Sequence, residues 1–503
     1  MSPVAHWPLW SRLGLAGLSG AVAAFGLAPW GLWWASVAGF AMAAMLLNAS
    51  DRRRDVALTG WAFGAGWFAH ALTWIVEPFL IDVARHGWMA PFAVVLMCGG
   101  LALFWGAAFW AAAALTRAGP TRVVALVVTW TSAEALRGYV FTGFSWAAPG
   151  QVWIDTPVAA LLAWVGPIGL DFAMLAAVLP LGLVLTMRNA QGLLAALPAA
   201  IVLTVALAAY QARPEVRTTG KIVRIVQPNI PQDEKWDRAQ MAAHFQRQVD
   251  YTAAAPRPDL VVWPETAVPV LLDEAGPALD RIANAAQGAQ VAAGIQRWED
   301  GKWFNSLIRL DSQGMQAGLY DKHHLVPFGE FIPLGWLAKR MGITALADNF
   351  GDGFSAGPGP RLMDFGPLGQ AVPLICYEAV FARDSGNVPG RADFLLQITN
   401  DAWFGQRTGP FQHLAQARMR AIEQGLPLIR SANTGISAMI DPAGHVIDHL
   451  PLGKAGYIDV ALPAPFPATV YSRSGDGPIL ALLGLLLLAV VGGQVLRLRA
   501  FSH

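Results

Sequence analysis

Three side chains in this sequence have the types and settings for covalent acyl chemistry. Cys376 ends the apolar run of PLICYEAVF and is followed by Tyr377 and Glu378. The only other cysteine, Cys98, lies in a long apolar segment, so the polar half of the chain holds no disulfide partner for Cys376. A thiol at a strand end is a candidate nucleophile if a base and a positive charge stand near it. Glu265, in DLVVWPETAVP, follows Trp263 and Pro264; a carboxylate among apolar groups has a raised pKa and can take a thiol proton. Lys322, in YDKHHLVPFGEFIP, has apolar, proline-bearing flanks; an ammonium there favours the thiolate and can steady an oxyanion. Each residue taken alone has a plain alternative: a small buried apolar side chain, a solvated loop carboxylate, a surface lysine. Their shared position just past apolar runs sets them apart.

These positions require a layered sheet. KIVRIVQPNI, DLVVWPETAVP, QVAAGIQRW and WFNSLIRLDSQG read as strands, as do the apolar runs of PLICYEAVF and DFLLQITNDAWFG. QHLAQARMRAIEQG has helical spacing and stops at Gly425, and ISAMIDPAGHVIDHL reads as a hairpin. Strands alternating with helices predict an α/β domain, whose functional groups collect at strand ends. Two weaker signals point elsewhere. His323 and His324 are adjacent, so on a strand they face opposite ways and share no metal. GDGFSAGPGP has close glycines but does not stand between a strand and a helix, which argues against a nucleotide loop.

The rest of the chain is a membrane sequence. Of 503 residues, 55% are hydrophobic and only 14% charged, against about 25% charged in soluble proteins. A net charge of +1 gives no reason to invoke nucleic acid. Charges are sparse up to Tyr210, frequent from Arg217 to Arg473, then absent from a last apolar run. Eight spans are expected, at about residues 9–28, 31–48, 56–78, 88–115, 121–139, 158–186, 191–210 and 477–496. The first is followed at once by a second apolar run, so it is read as a span and not as a cleaved leader. Arg12, Arg52 to Arg54, Arg117, Arg122, Arg188, Arg497 and Arg499 all fall on one side of such a bundle, and only Arg85 and Arg137 on the other. By the positive-inside rule both termini are cytoplasmic, and the polar domain lies in the periplasm of a bacterial inner membrane. The expected domains are 1–215 (seven spans), 216–470 (catalytic) and 471–503 (last span and tail). Asp171 and Glu134 lie in or near spans, where helix-end or packing roles are expected. The segment 331–354 mixes apolar, Gly and basic residues and has two readings: an arm that dips into the membrane interface and gates acyl chains, or an ordinary loop with a helix packed on the domain.

WPET, KHHLVPFGEF, ICYE and NDAWFG occur in the order and spacing seen in apolipoprotein N-acyltransferases, membrane members of the nitrilase (carbon–nitrogen hydrolase) superfamily. The resemblance covers nearly the whole chain. It implies an αββα sandwich joined to membrane helices and a catalytic triad of Glu265, Lys322 and Cys376. It also carries over Trp236 from the NIPQxxKW stretch, Glu330 from PFGEF, and Tyr377 and Glu378 after the cysteine. The implied reaction takes an acyl chain from a phospholipid, typically sn-1 of phosphatidylethanolamine, onto the cysteine as a thioester. The chain then passes to the α-amine of the diacylglyceryl-cysteine of an apolipoprotein. No metal or cofactor is implied, and one chain, a monomer, is expected to hold all the machinery. Two alternatives are a tethered amidase that uses water as acceptor and a transporter or receptor with a ligand-binding outer domain. A multi-helix scaffold favours a lipid donor over the first, and the three reactive residues count against the second.

Overall fold

The structure, a computed structural model, describes residues 4–184, 187, 190–332, 340 and 353–500. The chain divides into two compact units. One comprises residues 1–213, 407–415 and 470–503, the other 214–406 and 416–469. The first therefore takes back a short segment from the middle of the polar sequence, which composition alone does not reveal. Most of the expected interfacial arm, 331–354, lies outside the described residues.

In the first unit each segment read as a span contains helix, but the helices are unequal. Among the described residues, four have the length and apolar composition to cross a membrane: Val83–Leu115, Pro157–Val184, Gly192–Gln211 and Gly477–Gln494. Leu9–Ala23 and Trp33–Leu47 have 15 residues each. That is about 22 Å of helix against a hydrocarbon core of about 30 Å. Arg53–Ala71 opens on Arg53, Arg54 and Asp55, and Pro120–Tyr139 contains Arg122, Glu134 and Arg137. Small residues let backbones meet: a Cβ on Gly20 would lie 2.0 Å from Phe63 O, and one on Gly66 would lie 1.9 Å from Gly17 O. Phe40, Phe63, Trp67, Trp105 and Trp130 form one aromatic cluster with ring centroids about 5–6 Å apart. The buried acids are paired. Glu134 accepts from Trp105 Nε1 at 2.6 Å and bridges Arg137 at 2.5 Å, and Asp171 accepts from Gly150 N at 2.6 Å. They serve helix packing, as the sequence suggests.

The second unit is an α/β domain of two six-stranded sheets. One sheet has the order β12-β1-β2-β3-β4-β5, with β1 Thr218–Gln227, β2 Leu260–Val262, β3 Gln290–Glu299, β4 Lys302–Leu310, β5 Gln316–Asp321 and β12 Gly456–Pro463. The other has the order β11-β10-β9-β8-β7-β6, with β6 Met363–Asp364, β7 Gln370–Ile375, β8 Phe394–Thr399, β9 Leu428–Ala432, β10 Ser437–Ile440 and β11 Val446–Leu450. β1, β2 and β3 run parallel, as do β7, β8 and β9, with antiparallel neighbours on each side. These central strands read as unbroken apolar runs because both faces are covered. One face of the first sheet packs on helices Arg238–Ala253 and Gly276–Ala286 through Phe245, Val249 and Ile282 against Val261, Trp263, Val291 and Ile295. The other meets the second sheet, where Ser431 Oγ donates to the carbonyls of Val226 and Val262.

Candidate active site

Three strands deliver the three reactive residues at their carboxyl ends. β2 stops at Val262 because Pro264 has no N–H for the ladder, and Glu265 comes next. Lys322 directly follows β5, and Cys376 directly follows β7. The three form one buried cluster. Lys322 Nζ is 4.0 Å from Glu265 Oε1, and Cys376 lies within electrostatic reach of both. Cys376 has a φ of +54°, a left-handed value that non-glycine residues rarely adopt and that marks a turn held by its surroundings.

Glu378 is what holds it. Fully buried, it accepts from Ile375 N at 2.6 Å, His323 N at 2.8 Å, His324 N at 3.3 Å and the Tyr320 hydroxyl at 3.0 Å. One carboxylate thus ties the cysteine turn to the segment that carries Lys322. Tyr377 is buried and meets edge-on the stacked rings of His324 and Phe381. Glu330 takes Lys322 Nζ at 2.8 Å and Val326 N at 2.8 Å, so it backs the lysine and not Glu265. Trp236 is exposed, one residue beyond a lysine that reaches the Glu265 loop.

The two histidines depart from expectation. They lie past the end of β5, where side chains no longer alternate, and both turn to Asp384: His324 Nδ1 at 2.7 Å and His323 Nε2 at 3.4 Å. Among the described residues no group of three or more potential ligands could hold a metal. Burial alone would lower the pKa of His323, but Asp384 and Glu378 outweigh it and raise the value to about 9. A raised pKa stabilises the fold fully below the unfolded value of about 6.5, and that stability is lost as pH rises through about 9. The melting temperature is expected to fall across that window. His323→Gln should flatten the fall, and an unchanged slope in the variant would assign it to other groups.

Four residues of the site escape a reading of the sequence. Asn305, buried on β4, donates from Nδ2 to Glu265 Oε1 at 2.7 Å, and its carbonyl accepts from Lys322 N at 2.8 Å. The hint was a polar residue inside a strand. Lys235 donates from Nζ to Glu265 O at 3.2 Å and Thr266 Oγ1 at 3.1 Å; burial lowers its pKa to about 8 against the pull of Glu265 and Cys376. Gly357, within GDGFSAGPGP, donates its N–H to Lys322 O at 2.9 Å where a Cβ would meet Asp321 O at 2.3 Å. That glycine lets its loop press against the lysine backbone. Gly294 on β3 is the seat of the Glu265 turn. A Cβ there would lie 2.5 Å from Pro264 O and Thr266 N and 2.7 Å from Glu265 Cα. Gly294→Ala must push that turn outward, and a displacement of about 1 Å costs about 100-fold in a positioned reaction. The expected result is a folded protein whose rate of acyl-enzyme formation drops to that extent; a full rate would show that the turn is free to adjust.

Electrostatics set the resting state. Burial, reinforced by Glu265, pushes the Cys376 thiol well up, while Lys322 and a hydrogen bond with Thr399 oppose it. Burial also raises Glu265, against Lys322. Burial disfavours the Lys322 ammonium, but Glu330, Cys376 and Glu265 together hold its pKa above the usual lysine value. The site at rest therefore sets a thiol held toward its neutral form beside a carboxyl group of raised pKa and an ammonium. That arrangement suits a nucleophile that is deprotonated only as it attacks.

Two families match the chain: Carbon-nitrogen hydrolase over residues 222–465 and Apolipoprotein N-acyltransferase N-terminal domain over residues 19–180. Among similar proteins, an apolipoprotein N-acyltransferase of Rhodopseudomonas palustris is 36% identical over 515 residues, covering 96% of this chain and 95% of that protein. One from Caulobacter vibrioides is 37% identical over 514 residues, covering 97% and 95%.

Proposed function

Because the chain belongs to the apolipoprotein N-acyltransferase family and is an acyltransferase, we propose that it moves a fatty acyl chain from a phospholipid, through a thioester on Cys376, to the N-terminal amine of a diacylglyceryl-cysteine. Phosphatidylethanolamine is the expected donor. Glu265 takes the thiol proton, and the sulfur attacks the ester carbonyl. Lys322, held by Glu330, faces the oxyanion with the protons Glu330 does not use. The lysophospholipid alkoxide leaves with the proton from Glu265. The acceptor amine then attacks the thioester, Glu265 takes its proton, and the thiolate departs as the amide forms and receives that proton back from Glu265. Trp236, Tyr377 and Glu378 line or brace this site. The proposed setting is a bacterial inner membrane crossed eight times by a single chain, with both termini cytoplasmic and the catalytic domain (216–470) in the periplasm.

What carries this reading is the buried cluster of one thiol, one carboxylate and one ammonium at the ends of β7, β2 and β5. The test is the intact mass of the purified protein after incubation with phospholipid alone. One added acyl mass at Cys376, with release of an equal amount of lysophospholipid, is expected. Turnover with no such adduct would exclude the thioester route.

A further inference from the structure

Behind the cysteine lies a closed ring of hydrogen bonds that the reaction as described does not use. β7 pairs with β8 so that Ile375 is opposite Ile398, which puts Cys376 beside Thr399. The Thr399 side chain hydrogen-bonds the Cys376 thiol. Its hydroxyl donates to Asp401 Oδ1 at 3.1 Å, and Asp401 Oδ2 accepts from Arg430 Nη2 at 2.6 Å. Arg430 Nη1 donates to Gln397 Oε1 at 2.6 Å, and Gln397 Nε2 returns to the Cys376 carbonyl at 3.3 Å. Thr399, Asp401, Gln397 and Arg430 are each at most 1% exposed. One guanidinium thus ties the sulfur and the carbonyl of the same residue together.

A threonine hydroxyl has one proton and two lone pairs. Asp401, paired with Arg430, only accepts, so at rest the hydroxyl proton points to Asp401 and the oxygen accepts the S–H. When the thiol proton passes to Glu265, the sulfur becomes an acceptor, and rotation about one bond turns the hydroxyl proton onto it. Asp401 retains Arg430 on its other oxygen through this change. The charges that face the thiol are Glu265, Lys322, Lys235 and Asp401. Of these Asp401 works against the thiolate. Its contribution is therefore orientation of the hydroxyl, with Arg430 offsetting its charge. We propose that Thr399 is a further catalytic residue, a hydroxyl that accepts from the resting thiol and donates to the thiolate, with Asp401 and Arg430 as its positioning residues. This rests on Cys376 being the nucleophile.

The experiment is alkylation of Cys376 by iodoacetamide in the full-length, detergent-solubilised protein, followed at that peptide by mass spectrometry from pH 6 to 10. Thr399→Val keeps the shape and removes the hydroxyl. Alkylation at pH 8 is expected to slow about 10- to 100-fold, the worth of one hydrogen bond to a charged group, with the profile moved to higher pH. Thr399→Ser should restore both. Thr399→Ala should be as slow as the valine variant and serves if that variant misfolds. A wild-type rate and profile in the valine and alanine variants would overturn the proposal. So would a serine variant as slow as the valine one, since only packing would then be at stake. No lipid enters this assay, so it reads the pairing of thiol and hydroxyl by itself, while a failed acyl-mass experiment would remove Cys376 as nucleophile and leave that pairing measured but without a catalytic role.

Discussion

Cys376→Ala is expected to abolish the acyl adduct and to lower transfer by on the order of a million-fold, the loss seen when a nucleophile is removed from a triad whose members act as a unit. The fold should survive. The substitution removes one buried atom, worth about 1 kcal/mol of transfer energy. The left-handed turn is held from outside by Glu378, which accepts from the N–H groups of Ile375 and His323 and from the Tyr320 hydroxyl and pairs with the His323 ring at 2.7 Å. An unchanged melting curve together with no adduct is the result to look for. Normal labelling by phospholipid in the variant would move the nucleophile elsewhere.

Glu265→Gln separates two effects that simple damage would not separate. The amide oxygen can still accept from Asn305 Nδ2, so the turn should stand. The base is gone, and transfer from phospholipid to a diacylglyceryl peptide amine should fall about 100- to 10,000-fold. The thiol should respond in the opposite sense. In the native site Glu265 raises the Cys376 pKa. Without its charge the thiolate forms at lower pH beside Lys322, and alkylation of Cys376 should quicken below pH 8. A variant that is slow in both assays would identify Glu265 as a structural support; one that is fast in both would exclude it as the base.

The strand ends were legible because they depend on local chemistry. Pro264 ends β2 wherever its partners lie, and a lone thiol after PLI asks for a reason in any fold. What the sequence could not convey depends on register between distant strands. Asn305 matters because β4 brings it to Glu265, 40 residues away. Thr399 matters because β8 lies one strand from β7. Gly294 resembles any strand glycine until the turn pressing on it is seen. The histidine pair was misread for a related reason: alternation of faces holds only inside a strand, and β5 ends at Asp321. In the first unit, each apolar run picked out by hydropathy contains helix, but among the described residues only four helices are long and apolar enough to cross a membrane. Two stop at 15 residues, and the charged pairs inside others, such as Glu134 with Arg137, close within the bundle and leave little trace in an averaged score.

The first sheet has its outer strand supplied last. β12 pairs with β1 from Thr218 to Gln227, yet it is made only after the entire second sheet. At about 5–20 residues per second, the ribosome leaves the β1 edge bare for on the order of 10 to 50 s. During that time an unpaired strand rich in Ile and Val is a template for intruding chains. Maturation of this enzyme therefore runs on a clock set by its carboxyl-terminal portion. A nascent chain arrested before Gly456 would already hold Glu265, Lys322 and Cys376 but would lack the strand that closes the sheet around them.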